Sequence, residues 1–383
     1  MNSRWWSALA CLLAVALVAG STAVSPAALS VLTTADERLE RAVLARIEKE
    51  KEAQPQILGL SIAFADRGGI RHVQGYGFAD RDQGLPVARE TMFRWASVSK
   101  PLTAVVAMQL AAEGRLDLDA DIRTYVPEFP DKGVTVTTRQ LLTHQGGIVH
   151  YTNGPVVRTP REYDDEHPFK DTILALDTFK DSPLVSEPGK AHNYTTHGYM
   201  LLGAVVERAG GKPYADLVRE RIIERVGMTT LQPDYQWIDI PHRARGYRIA
   251  RDSTFPSSDT DVSWKLPGGG WISNAEDMAR LGWGMLDASL VDLPTREAMW
   301  TPQPLADGTP TTYGLGFAVR RTPRGLEVSH SGSQEKVRTM LLILPDAGED
   351  GAVVAVMANV EGVRLDSLTR DLASIFITWR VGH

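Results

Sequence analysis

Apolar residues gather in short runs near the two ends of the chain and at helical spacing between them. Residues 57–65 and 71–79 are strand-like, and Asp66-Arg67-Gly68-Gly69 between them supplies the turn of a hairpin. Ahead of this pair, Thr34 with Glu37 three positions on has the form of a capping box. It predicts a helix running to about residue 52, with Leu39, Val43, Leu44 and Ile47 on one side. Behind the pair, residues 98–113 place Leu102, Val105, Val106 and Leu110 where a helix would turn them to a core. The middle, about 116–292, reads mostly as helix and loop, with its clearest helices at 138–142, 198–209, 214–226 and 275–286. Strands then return at 315–321 and 326–329 around Thr322-Pro323-Arg324-Gly325, and at 337–344 and 352–360 around a second turn. A helix over about 365–379 closes the chain.

Tight hairpins demand antiparallel pairing. The pattern therefore predicts an α+β fold: an antiparallel sheet built from both chain ends, flanked by helices, with a mostly helical region inserted. The sheet region would span about 29–115 and 293–383 and the helical region about 116–292, and their seam is the natural place for a site.

Composition changes this picture little. Hydrophobic residues make up 43% and charged residues 23%, enough for a core of ordinary size. The formal net charge of −6 lacks the basic stripe of a nucleic-acid binder. The first 28 residues differ in kind. Arg4 is followed by an apolar run from Trp5 to Ala19, interrupted by Ser7, and then by small residues. This is the pattern of a secretory signal peptide, too short in its apolar core to span a bilayer comfortably. It predicts an exported protein, periplasmic or secreted, with residues 29–383 as the mature domain and no membrane span after processing. The single cysteine, Cys11, would leave with the signal, so neither a disulfide nor a thiol is expected to serve the mature chain.

Two Ser-x-x-Lys stretches occur, Ser97-Val98-Ser99-Lys100 and Ser333-Gln334-Glu335-Lys336. The pattern alone is weak, and context separates the two. The first lies where a loop enters an amphipathic helix, and residues three apart on a helix share a face. Lys100 then projects beside Ser97, and Pro101 suits a first turn. The second precedes a strand, where residues three apart face opposite ways. Ser97 with Lys100 is the candidate pair for nucleophilic catalysis.

Around this pair stand further motifs: Gly75-Tyr76-Gly77-Phe78-Ala79-Asp80, Thr91-Met92-Phe93-Arg94-Trp95-Ala96, Leu141-Leu142-Thr143-His144-Gln145-Gly146-Gly147-Ile148, and Pro188-Gly189 leading to Tyr194 and Gly198-Tyr199-Met200-Leu201-Leu202-Gly203. Further on come Gly268-Gly269-Gly270, Tyr313-Gly314-Leu315-Gly316 and His330-Ser331-Gly332. In kind and order they resemble the class C β-lactamase and penicillin-binding-protein superfamily of serine hydrolases over about residues 58–360. The resemblance implies an acyl-enzyme on Ser97 with Lys100 as general base and Tyr194 relaying the proton to the leaving group. It implies an oxyanion site between the N–H of Ser97 and an N–H just after Gly332, that of Ser333. No cofactor and no metal are implied. The implied partner is a small ester, a peptide or a peptidoglycan-like substrate. Tyr151-Thr152-Asn153 spells the family's Tyr-x-Asn, but the flanking motifs belong to Tyr194, which leaves Tyr151 to line the cleft entrance.

Two departures bear on substrate. Thr196 stands in place of an asparagine that reaches the substrate amide in the family, and His330 in place of the lysine of Lys-Thr-Gly. Histidine is mostly neutral at pH 7, so the fixed charge for a substrate carboxylate is missing. Lys336, at a position relatives usually fill with glycine, and Arg338 are the nearby cations in sequence. Tyr-Thr-Thr together with Gly-Ile-x-His-Tyr most resembles the mitochondrial β-lactamase-like serine proteases and their bacterial relatives. Ester or peptide hydrolysis is thus expected first, β-lactamase or D-Ala-D-Ala carboxypeptidase action second, and a catalytically impaired binding protein third. His144, His192, His197 and the acidic loop Asp164-Asp165-Glu166-His167 lack a metal-ligand spacing.

Overall fold

The computed structural model describes residues 26–382, with side chains from residue 37 onward. Its centre is a seven-stranded antiparallel sheet. The N-terminal part supplies β1 (Gly59–Asp66), β2 (Gly69–Asp80) and β3 (Leu85–Pro86). The C-terminal part supplies β4 (Ala318–Thr322), β5 (Gly325–Gln334), β6 (Val337–Leu344) and β7 (Ala352–Ala358). The order β3-β2-β1-β7-β6-β5-β4 joins the two chain ends at the β1–β7 seam, where Ile62 faces Val356. This is the α+β architecture that the sequence predicts.

β1 and β7 are buried at every position because helices cover both faces of the sheet. On one face lie α1 (Pro26–Ala53) and the closing helix, Asp366–Val381. Leu39, Val43 and Ile47 of α1 pack there with Leu368, Leu372 and Phe376, and Phe376 stacks on Phe64 of β1 at 5.0 Å. Ala63, Leu341, Val353 and Ala355 point to the other face, toward α2 (Ser99–Ala112) and α3 (Thr196–Gly210). The helix α4 (Ala275–Leu286) comes from the middle of the chain yet packs directly on β1 and β7. Gly282 permits this, since a Cβ there would lie 2.4 Å from Val353 Cγ1. The closing helix is α5.

Several expectations need correction. Helix α1 runs unbroken from Pro26, so Thr34 lies inside it and does not cap its start. Pro26 suits a first helical position, and no glycine or proline between it and Thr34 interrupts the helix. A capping box does form at Thr137 and Gln140, opening the short helix Thr138–Leu142. The strand expected at 326–329 extends to Gln334, which carries β5 past the end of β4. Several short pairings were not foreseen, among them Phe93–Arg94 and Gln232–Pro233 on either side of Trp271–Ser273, and the hairpin Tyr247–Ala250 with Ser253–Pro256. Strands of two to four residues are too short to show a period. The expected signal peptide lies outside the described residues, save residues 26–28, which open α1. Among the described residues no helix is long and apolar enough to cross a membrane.

Candidate active site

Trp95 anchors the loop that carries Ser97. It is fully buried, its N–H donates to Trp271 O at 2.8 Å, and its indole N–H donates to Ser273 Oγ at 2.6 Å. Its carbonyl accepts Thr339 Oγ1 of β6 at 2.9 Å. The next residue, Ala96, has φ 50°, a left-handed conformation that costs an alanine about 1 kcal/mol or more. The buried contacts on either side hold it. The chain then makes one 3-10 turn, Ala96–Val98, and enters α2. This sharp entry leaves Ser97 partly exposed while its neighbours are buried.

Lys100, one helical turn on, is fully buried. Its Nζ lies 3.1 Å from Ser97 Oγ, 3.2 Å from Thr196 Oγ1 and 2.8 Å from Gly268 O. It makes no ion pair with any described residue. Gly268 permits the approach: a Cβ there would lie 2.8 Å from Thr196 Cγ2. Burial pulls the Lys100 pKa well below the ordinary lysine value, and the charge on Lys265 adds to the effect. The ring of Tyr194 stands 4.9 Å from Nζ, and its hydroxyl lies near Ser97. Burial raises the Tyr194 pKa, so it is a neutral phenol.

The segment carrying Tyr194 and Thr196 is fixed by two histidines. The amide of Thr195 donates to His144 Nδ1 and that of Thr196 to His150 Nδ1, each at 3.1 Å. His144 also packs against the rings of Tyr194, at 4.3 Å, Tyr313 and Tyr199. Nothing in the sequence spacing marked either histidine for this task; both sit in a loop that only the fold brings beneath α3. Tyr151 is 51% exposed at the cleft mouth, with its ring on His150 at 3.7 Å.

On the other side of Ser97 runs the free end of β5. Its pairing with β4 stops at Ser329, while pairing with β6 continues through Gly332 and Ser333. A Cβ on Gly332 would lie 2.1 Å from Thr339 Oγ1 and 2.6 Å from Trp95 O, so only glycine lets β5 lie this close to the Ser97 loop. Ser333 is exposed. His330 is buried, its Nδ1 2.8 Å from Ser331 O and its Nε2 2.9 Å from the Tyr313 hydroxyl. Nδ1 donates to that carbonyl, and in the neutral ring that burial favours Nε2 accepts from the Tyr313 hydroxyl. Burial brings its pKa down to about 3.

The second Ser-x-x-Lys does not form a comparable pair. Ser333 ends the strand, and Lys336 sits in the hairpin turn at φ 75°, where its ammonium pairs with Asp259 and its amide donates to Glu361 Oε1 at 3.0 Å. Arg338 folds onto the carbonyls of Gln334 and Val337. Three further histidines pack against neighbours. His197 donates to Val149 O and stacks on Phe179, His192 lies near Tyr313, and His167 stacks on Trp237. Among the described residues no group of side chains is arranged to hold a metal ion. A groove with room for a small ligand lies against α5, between Leu342, Leu344 and Ile377, and Ser97 does not line it.

Comparison with known proteins bears on this geometry. The family model described as Beta-lactamase matches residues 44–375. The chain is 27% identical to the Serine beta-lactamase-like protein LACTB, mitochondrial, of Homo sapiens, over 88% of this chain and 79% of that one. It is 33% identical to Esterase EstB of Burkholderia gladioli over 45% of this chain and 46% of the other. Among solved structures, EstCE1, described as a hydrolase with promiscuous acyltransferase activity, superposes with a TM-score of 0.73 at 20% identity. That match covers 90% of this chain and all of the other.

Proposed function

Given that the chain belongs to the β-lactamase family and is a serine hydrolase, we propose that it cleaves an ester or amide through an acyl-enzyme on Ser97, with Lys100 as the base. The observation that carries this is the surroundings of Lys100 Nζ. A neutral amine has two protons and one lone pair. Here the protons go to Gly268 O, which can only accept, and to Thr196 Oγ1, so the lone pair is left for the proton of Ser97. A charged ammonium would have no site to receive that proton. Burial without a carboxylate partner favours the neutral form.

Tyr194, a neutral phenol near Ser97, would pass the proton on to the leaving group. The oxyanion would be met by the amides of Ser97 and Ser333, since the unpaired end of β5 runs beside the Ser97 loop. The neutral, internally bonded His330 offers no charge to a β-lactam carboxylate. This favours ester or peptide substrates over β-lactams and D-Ala-D-Ala. The signal-like first 28 residues support export to the periplasm or beyond. Labelling with a fluorophosphonate followed by peptide mass spectrometry tests the core of the proposal: an adduct on Ser97 is expected, and one on Ser333 overturns it.

A further inference from the structure

Lys265 is a second lysine in the inner cleft that faces no carboxylate at bonding distance. It ends the turn Ser263–Lys265, directly ahead of the Leu266–Gly269 turn whose Gly268 carbonyl holds Lys100. That turn packs beside the Ser97 loop, since a Cβ on Gly269 would lie 3.4 Å from Gln334 Oε1 and 3.7 Å from the backbone of Ala96. Lys265 is 7% exposed, and its Nζ stands 5.5 Å from the ring of Trp264. Its amide donates to Val262 O at 3.1 Å, but its side chain makes no hydrogen bond and no ion pair with any described residue. Burial lowers its pKa from the ordinary lysine value while Glu335 and Asp261 act to keep it charged, so a carboxylate docked against it would favour the ammonium and supply the partner its side chain lacks.

The neighbouring cations are otherwise engaged. His330 is neutral, Lys336 is tied to Asp259, Arg338 lies on backbone carbonyls, and Arg94 and Arg243 share Asp234. Glu335 is close enough to act electrostatically on Lys265 but sits on the exposed β5–β6 turn and forms no ion pair with it. Trp264, next to His197, and Tyr151, next to His150, give this side of the cleft an aromatic wall. A carboxylate entering here would meet an ammonium already stripped of most of its water.

We propose that Lys265 receives a carboxylate of the substrate, so that the enzyme prefers esters or amides bearing an anionic group within reach of the scissile carbonyl. The proposal rests on the reading of Ser97 as the nucleophile, and it moves the anion-binding charge from the strand that carries His330 to the turn ahead of Gly268.

Two substrate pairs test it. p-Nitrophenyl hydrogen adipate against p-nitrophenyl hexanoate places the carboxylate on the acyl side. 4-Carboxyphenyl hexanoate against phenyl hexanoate places it on the leaving group. One anionic member should show kcat/KM at least about tenfold above its neutral partner, and which pair does so identifies the side that Lys265 reads. The ratio should fall to near one in Lys265→Met and be largely kept in Lys265→Arg. Calorimetry with adipate gives a readout that needs no turnover: the Ser97→Ala protein should bind it, and the Ser97→Ala, Lys265→Met protein should not. Ratios near one in both pairs of the wild type, or a preference that survives in Lys265→Met, overturn the proposal and leave the Ser97 reading standing. Adipate binding that depends on Lys265, in a protein that hydrolyses none of the four esters, overturns the Ser97 reading and supports this one.

Discussion

The amide of Thr196 donates to Nδ1 of His150 across 3.1 Å, so that imidazole must be unprotonated at Nδ1 whenever the segment holding Tyr194 and Thr196 is in place. Burial brings the pKa of His150 down to about 4, that of His197 also to about 4 and that of His330 to about 3. In the unfolded chain each returns to about 6.5. Between these values the unfolded state binds more protons, so stability is fully present above about pH 6.5 and is lost as the pH falls toward 4 and then 3. Each histidine contributes a slope of at most about 1.4 kcal/mol per pH unit in that window. Melting temperature measured from pH 7 downward should therefore fall steadily. His150→Asn, whose Oδ1 can accept the same amide without titrating, should fall less steeply.

Replacing Ser97 by alanine should reduce hydrolysis by about four decades or more and leave the melting temperature nearly unchanged. Ser97 is partly exposed, and removing one hydroxyl takes little packing with it. A variant that keeps substantial ester turnover would remove Ser97 from the nucleophile's role.

If Lys100 is the base as proposed, activity should rise with pH along an ionisation well below the ordinary lysine value, since only the neutral amine accepts the proton. Lys100→Arg should be nearly as inactive as Lys100→Ala, since a guanidinium cannot accept the proton. A pH–rate profile of kcat/KM on the wild type and both variants checks this. An active arginine variant would transfer the base role elsewhere.

Gly332→Ala should damage catalysis and stability together. The new methyl would meet Thr339 Oγ1 and Trp95 O, the contacts that hold β5 and the Ser97 loop side by side. Overpacking of this kind costs about 1–3 kcal/mol, and a displaced β5 would spoil an oxyanion site shared with it. Urea unfolding and kcat on one ester report the two effects separately.

Lys336→Ala should leave the low turnover of nitrocefin nearly as it was, because the ammonium is held by Asp259. Wild-type kcat/KM for nitrocefin is expected about two to four decades below that of a dedicated β-lactamase, from the loss of two anchoring contacts worth about 1.5–3 kcal/mol each. Nitrocefin turnover at a dedicated enzyme's level that collapses in Lys336→Ala would show that Lys336 reaches the cleft after all.

Much of this molecule is legible from local sequence. The hairpins, α2 and α4 have clear periods or turn residues, and Ser97 with Lys100 could be chosen over Ser333 with Lys336 because a helix start and a strand orient a three-residue spacing differently. What local sequence does not carry are relations made by distant backbone. The carbonyl of Gly268 on Lys100 is one, and the amides of Thr195 and Thr196 on His144 and His150 are others, since a main-chain partner leaves no residue-type signature. Lys265 looked like any polar residue of a loop until the fold enclosed it. Thr34 fails in the opposite direction: its capping-box pattern is present in the sequence, but α1 begins earlier, at Pro26, and passes through it.

The β1–β7 seam has a consequence for the life of the chain before it is folded. Ile62 and Val356 lie about 290 residues apart in sequence, so the central pairing of the sheet has very high contact order and waits until β7 has been synthesised. Until then β1, apolar at almost every position, is a bare strand edge of the kind that recruits other chains. Ribosome-bound or C-terminally truncated chains should therefore depend on chaperones, and deleting residues 352–383 should yield aggregates rather than a smaller folded enzyme.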